Sequence, residues 1–372
     1  MSEITLYGSP LSLYTGKARS YLIKSRLSYR EVLPNTQHYE TNVLPKMGGR
    51  RSIPVVETAN GEVIRDGAAI IDHYESRNGQ LYSPKTPKQQ FISRLFDVIG
   101  MEGLLRPAMH YRWNFDDFNK EFVQFHFETF IPPNLDRKAL AEKRMNQMRD
   151  AGRSFGAISD TFSLVESLYC RLLPKLSAHF SEYPYLLGNR PCIGDFGMIA
   201  PLYGHLGRDP KPLSLMQSRA ISLYRWVERM NRPEADLGEF AQQDNKLLDD
   251  DQIPDTLIEV LRQIAIDFIP ETEAACIATN KWLTEQDALA PNTPAERGIG
   301  MCNFEVEGQT ITALAQPYRF YLLKRAQDHY ASLSRTEQED IDGLLAACSM
   351  NELVKMKLSR DIDRLDNREI WL

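Results

Sequence analysis

Residues 53–75 read IPVVETANGEVIRDGAAIIDHYE. Two short runs rich in β-branched residues flank Asn60-Gly61, a pair that tolerates positive φ and marks a hairpin with a type I′ turn. The period then changes: Asp66 stands at an N-cap position and GAAIIDHYESR continues as a helix. Upstream, residues 3–7 (EITLY) predict a strand, about 15–26 a helix with Ala18, Leu22 and Ile23 on one side, and 28–33 a second strand. Two strands with a crossover helix, an antiparallel hairpin and a closing helix make a small α/β layer over residues 1–78.

Downstream, NGQLYSPKTPKQ (78–89) is a linker by composition, with Gly79, Pro84 and Pro87. Helical patterns fill residues 89–248. Phe115, Phe118, Phe122 and Phe125 recur at three- and four-residue spacing and predict a buried stripe. The acidic run DDDQIP (249–254) closes this region. Residues 249–372 form a mostly helical extension. There Pro254 and Pro270 fit helix first turns. Leu257, Ile258, Leu261, Ile264, Ala265 and Phe268 make an apolar face. Residues 285–301 read as loop, and FEVEGQTITAL (304–314) as a hairpin turning at Glu307-Gly308. Two capping boxes, Ser334–Glu337 and Ser349–Glu352, each predict a further helix. The predicted fold class is α+β.

Composition narrows the function classes. The chain has 372 residues, 42% hydrophobic and 25% charged, with a net charge of −6 and no long single-sign run. That describes a globular protein and advertises neither a nucleic-acid nor an anionic-membrane partner. No apolar run approaches the roughly 18 residues of a membrane helix, and MSEITLYG does not read as a signal peptide. The five cysteines are scattered, without C-x-x-C, and read as reduced thiols of a cytoplasmic protein. The seven histidines form no H-x-x-x-H or H-E-x-x-H pair, so no metal site is expected.

Three motifs, in order and at matching spacing, resemble the glutathione S-transferase superfamily: LYGSPLS (6–12), SIPVV followed by DGAAIIDHYE (52–75), and PYLLGNRPCIGDFGMIAPLYGHL (184–206). The resemblance covers about residues 3–232. It implies a thioredoxin-like glutathione-binding domain, then an all-helical domain. It also implies a cytoplasmic, homodimeric, detoxifying transferase that activates the glutathione thiolate against a small hydrophobic electrophile. The other reading is a fold of this type kept as a non-catalytic binding or interaction module.

The chemistry sets what the site must supply. The thiolate is the reactive form, and an unperturbed thiol titrates near 8.5. Lowering that by about two units takes roughly 2.7 kcal/mol of anion stabilisation. A hydroxyl hydrogen bond to a charge gives about 1.5–3 kcal/mol and a helix N-terminus about 0.3–1. Together they suffice, so a hydroxyl just before the first helix is expected. Ser12 matches the serine-type pattern, Tyr14 and Thr15 compete with it, and capping alone is the other role for Ser12 or Thr15. Ile53-Pro54 matches the family's cis-proline turn, where the Ile53 backbone pairs with an extended peptide. Asp66 and Gly67 match the γ-glutamyl-binding positions, although Gly67 lacks the usual hydroxyl. Arg51, with Arg50 as the neighbouring choice, matches a cation for the glycyl carboxylate. In MHYRWNF (109–115), His110, Tyr111 and Trp113 are candidates for the electrophile pocket. Cys192-Ile193-Gly194-Asp195 occupies the place of a helix-capping box in the second domain.

Overall fold

The computed structural model describes residues 4–234, 238–240, 244–286 and 289–372. The first layer contains β1 (Ile4–Tyr7), α1 (Leu13–Lys24), β2 (Tyr29–Val32), β3 (Val55–Glu57), β4 (Val63–Arg65) and α2 (Gly67–Arg77). Its sheet runs in the order β2-β1-β3-β4, with β1 parallel to β2 and the other pairs antiparallel. The expected order of elements is therefore present. The turn between β3 and β4 differs from expectation. It spans Thr58–Glu62, with Gly61 N–H donating to the Thr58 carbonyl at 2.9 Å and only Gly61 at positive φ (+81°). A loop longer than two residues needs only one left-handed position, so Asn60 keeps an ordinary φ.

The helical region follows: α3 (Pro87–Val98), a π-helical turn (Ile99–Gly103), α4 (Leu105–Trp113), α5 (Asp116–Thr129), α6 (Arg137–Arg153), α7 (Phe162–Glu182), α8 (Ile193–Gly204), α9 (Pro210–Arg219) and α10 (Ile221–Met230). Helix α8 is buried along nearly its whole length and carries α1 and α3 against it. The π-helical turn also lies on α8, and glycines make that possible. A Cβ on Gly100 would stand 2.2 Å from the Gly197 carbonyl carbon. Asp195 anchors α8: its carboxylate accepts from Cys192 N–H at 2.9 Å, Leu186 N–H at 3.1 Å and Trp226 Nε1–H at 2.9 Å. The phenylalanine stripe on α5 is not buried. Phe118 and Phe125 are 57% and 66% exposed, because α5 turns Asn119 and Val123 inward. The Lys211 ammonium lies over the Phe115 and Phe118 rings instead.

The last part contains α11 (Asp255–Thr284), β5 (Thr293–Pro294), β6 (Gly300–Val306), β7 (Gln309–Ala315), α12 (Pro317–Ser332), α13 (Arg335–Ala347), β8 (Ile362–Leu365) and β9 (Arg368–Trp371). The hairpin at Glu307-Gly308 forms as expected. Pro270 does not start a helix; α11 runs through it, held by buried residues on both sides such as Phe268 and Thr272. Nor does Ser349 open one. It sits at φ +58° just past Cys348, the C-cap of α13, with Met350 N–H donating to Leu345 O and Ser349 N–H to Ala346 O. That pair of bonds is a Schellman motif, which ends a helix. The chain finishes in the β8–β9 hairpin, whose turn residues Asp366 and Asn367 both have positive φ. Leu6, Phe196, Phe268, Phe320 and Trp371 belong to one continuous buried cluster, so the extension shares the core of the other two parts.

Replacing Asp195 by Ala leaves three buried donors without an acceptor and should cost roughly 3 kcal/mol or more, read as a shift of the urea-unfolding midpoint. Cys192→Ser should leave stability unchanged or raise it by up to about 1 kcal/mol.

Candidate functional site

The loop before α1 is tightly specified. Ser12 Oγ accepts from Thr15 N–H at 3.2 Å and caps the helix. The Thr15 hydroxyl accepts from Ser9 N–H at 3.3 Å and fills the space beside Gly8. Arg112 on α4 donates to the Leu11 carbonyl at 2.8 Å while its guanidinium grips Asp209, so the loop is tied to the helical region. Tyr14, on the first turn of α1, is different: it lines a cavity of about 340 Å³, together with Ile53 and Asp66. Ser12 and Thr15 are not among the residues lining it. Burial, then Glu102 and Asp66, push the Tyr14 phenol well above its ordinary value, with Arg297 opposing. It therefore stays protonated and can donate.

The Ile53–Pro54 bond is cis. Among the described residues nothing hydrogen-bonds to the Ile53 backbone, and Ile53 lines the cavity. Asp66 caps α2, accepting from Ala68 N–H at 2.9 Å and Ala69 N–H at 3.3 Å, in a left-handed backbone conformation (φ +88°). Such strain persists only where the surroundings over-determine it. Gly67 lacks a side chain for a visible reason: a Cβ there would stand 3.2 Å from Lys17 Cδ, and buried Lys17 is committed to Asp97. Arg51 reaches the cavity mouth but is exposed and paired with Glu40 at 2.7 Å.

The extension builds the opposite wall. Tyr318, at the start of α12, donates its hydroxyl to Asp66 Oδ2 at 2.7 Å. Burial pushes the Asp66 carboxyl up, but Arg364, Arg65 and Lys17, with the Tyr318 hydroxyl, hold it below the usual range. Glu369 on β9 is buried and meets three guanidiniums: Arg50 at 2.7 Å, Arg65 at 2.8 Å and Arg364 at 2.6 Å. Asn367, in the β8–β9 turn, covers the free edge of β4, accepting from Arg65 N–H at 2.9 Å and donating to Val63 O at 2.8 Å. Arg297 and Gln316 complete this side of the cavity.

The floor holds Glu102, on the π-helical turn. It is 3% exposed and its Oε2 has no hydrogen-bond partner among the described residues. Of the three MHYRWNF candidates none lines this cavity. His110 is buried against Phe162 and bonds Glu166 at 3.1 Å, and Tyr111 stacks on Phe115. Trp113 borders a separate cavity of about 320 Å³ beside α6.

Residues 6–81 match the model of the glutathione S-transferase N-terminal domain family. The first layer of the chain is therefore similar to the N-terminal domain of that family. No curated protein matches the chain. Solved structures that align with it include the glutathione transferase GSTFuA3 of Phanerochaete chrysosporium, at 17% identity over 62% of this chain and 97% of that one, TM-score 0.44. A glutathione S-transferase of Methylobacterium radiotolerans, solved with glutathione sulfonate, aligns at 16% identity over 68% and 98%, TM-score 0.37. The beta-etherase LigF of Sphingobium sp. strain SYK-6 aligns at 17% over 65% and 100%, TM-score 0.39.

In this glutathione S-transferase-like chain, sequence reasoning missed Arg65, Glu102, Tyr318 and Glu369, all of which line the cavity. Arg65 sits one residue before Asp66, on an edge strand, and could have been suspected from that position alone. The other three come from segments without a motif. Among the described residues no cluster of His, Cys, Asp or Glu could hold a metal ion, and no helix is long and apolar enough to cross a membrane.

Glu369→Ala strands three guanidiniums, of which Arg65 is buried and Arg50 and Arg364 are partly buried. It should lower stability by roughly 3–5 kcal/mol. The melting temperature reads this loss, and limited proteolysis should show the β8–β9 segment becoming the first site of cleavage.

Proposed function

We propose that this chain is a glutathione-dependent transferase, binding the tripeptide along Ile53 and directing its thiol toward Tyr14. The observation that carries this reading is the coincidence, in one cavity, of the Asp66 cap with an Ile53 backbone and a Tyr14 hydroxyl that have no hydrogen-bond partner among the described residues. The volume of about 340 Å³ falls within the range of small-ligand sites. A partly buried phenol that resists ionisation is a dependable donor, and donation to a developing thiolate supplies about 1.5–3 kcal/mol. The N-terminus of α1 adds a smaller term of the same sign. The thiolate then attacks a small electrophile admitted beside Tyr14.

One set of contacts favours the second reading, a binding or interaction module. Asp66, Arg50 and Arg65 are already engaged by Tyr318 and Glu369 from the chain itself. A ligand must share or displace these partners, and that lowers affinity for the charged ends of the peptide.

Calorimetry with glutathione, followed by turnover of a generic aryl halide, separates the two. Tyr14→Phe should lower kcat/KM by about 10- to 100-fold. Ser12→Ala should instead lose about 1 kcal/mol of stability through its cap, with activity nearly kept. The reverse pattern would move the thiol to Ser12. No heat of binding at millimolar glutathione would reject the transferase.

A further inference from the structure

The mechanism so far leaves one buried ionisable group unused. Glu102 borders the cavity with its Oε2 unpartnered, on a π-helical turn pressed against α8 by the Gly100–Gly197 approach. An unsatisfied buried carboxyl oxygen is costly, and π-helical turns inside helices are frequent at functional sites. No ion pair relieves it among the described residues. Arg319 on α12, whose charge acts on Glu102, is committed to Glu271 at 3.0 Å and reaches only the Glu102 main-chain carbonyl, at 3.4 Å. Arg106 is likewise held by Glu271 and Asp267.

We propose that Glu102 is the proton-transfer residue of the cavity, accepting the proton of the bound thiol and returning it to the product side. The assignment rests on the glutathione reading above. In the step, the S–H bond breaks and its proton passes to the Glu102 carboxylate, giving a carboxylic acid. The sulfur lone pair forms the new S–C bond. The electron pair of the breaking bond leaves with the departing group, or moves onto the neighbouring carbon if the substrate is an activated alkene. Where that atom is the carbanion carbon or a basic oxygen, Glu102 delivers the proton to it and is restored; a halide departs as the anion, and Glu102 is restored by releasing the proton to water. Thiol plus electrophile becomes the thioether with halide and a solvent proton, the thioether with a protonated oxygen leaving group, or the adduct, with no other reactant.

The electrostatics suit the task. Burial pushes the Glu102 carboxyl up to about 8, opposed by Arg319 and reinforced by Glu271 and Asp66. From the N-terminal layer Asp66 and Tyr14 face it, and Arg297 and Tyr318 from the extension. Arg50, Arg51, Arg65, Glu296 and Glu369 line the remaining wall. An acid near 8 is matched to a thiol whose ordinary value is about 8.5, the condition under which proton transfer is efficient. Two such groups in one cavity titrate as a pair, losing their protons in two macroscopic steps.

The test compares the full-length protein with Glu102→Gln and Glu102→Asp. In wild type, the ultraviolet thiolate band of bound glutathione should appear in two steps as pH rises; in Glu102→Gln it should appear in one. With an aryl halide, Glu102→Gln should lose about 100-fold in kcat while KM for glutathione stays within about threefold, and Glu102→Asp should recover part of the loss. A fold readout accompanies these. Because the folded carboxyl is raised from 4.5 to about 8, its contribution to stability is full below 4.5 and is lost as pH climbs through 8. Glu102→Gln should flatten that slope. If Glu102→Gln binds glutathione with an unmoved thiolate titration and wild-type kcat, the assignment is wrong and the glutathione reading stands. If wild type binds no glutathione, both fall together.

Discussion

One buried carboxylate organises the site. Glu369 lies among Arg50, Arg65 and Arg364, which come from the loop before β3, the edge strand β4 and the β8–β9 hairpin. Removing these charges from water is expensive, and only dense mutual hydrogen bonding offsets it. That requirement fixes the end of the chain against the N-terminal sheet to within hydrogen-bonding tolerance. Asn367 adds a second constraint by occupying the backbone groups of β4, so the edge strand is closed to other chains. With the hairpin and the start of α12 in place, a groove beside Ile53 becomes a walled cavity.

Inside it, two carboxyls sit in opposite electrostatic conditions. Asp66 is surrounded by Arg364, Arg65, Lys17 and the Tyr318 hydroxyl, and is held ionised despite its burial. Glu102 is buried with its would-be cation engaged elsewhere, and is pushed toward neutrality. Environments that separate two acids in this way divide the labour between them. Asp66 keeps the backbone of α2 in its left-handed entry and presents fixed charge. Glu102 can exchange a proton near neutral pH. Between them Tyr14 remains a hydroxyl donor across the physiological range.

Much of this was legible in advance. The change from strand period to helix period at Asp66 marked the α/β layer, and Ile53-Pro54 marked a turn that borders the cavity. Ile53 and Asp66 were named through the family resemblance and Tyr14 as the alternative to Ser12; these three border the cavity, whereas Ser12 does not. The failures share one cause. The phenylalanine spacing on α5 was compatible with a buried stripe, yet nothing local states which helix face meets a neighbour. Ser349 had a capping-box pattern, but the chain used it to terminate α13. Within MHYRWNF, His110, Tyr111 and Phe115 pack on one another away from this cavity, while Trp113 borders a separate one.

By itself, then, the order of residues determined the local elements of the first layer, its turn residues and the caps at Ser12, Asp66 and Ser334, because those depend on neighbours within a few positions. Only the tertiary structure decided which hydroxyl reaches the cavity, that Lys17 fills the space where Gly67 has no side chain, and that Glu102, Tyr318 and Glu369 join Asp66. Those groups lie far apart in the chain. What brings them together is the burial of one continuous core and the pairing of charges that it desolvates, and neither leaves a signature in any short stretch of sequence.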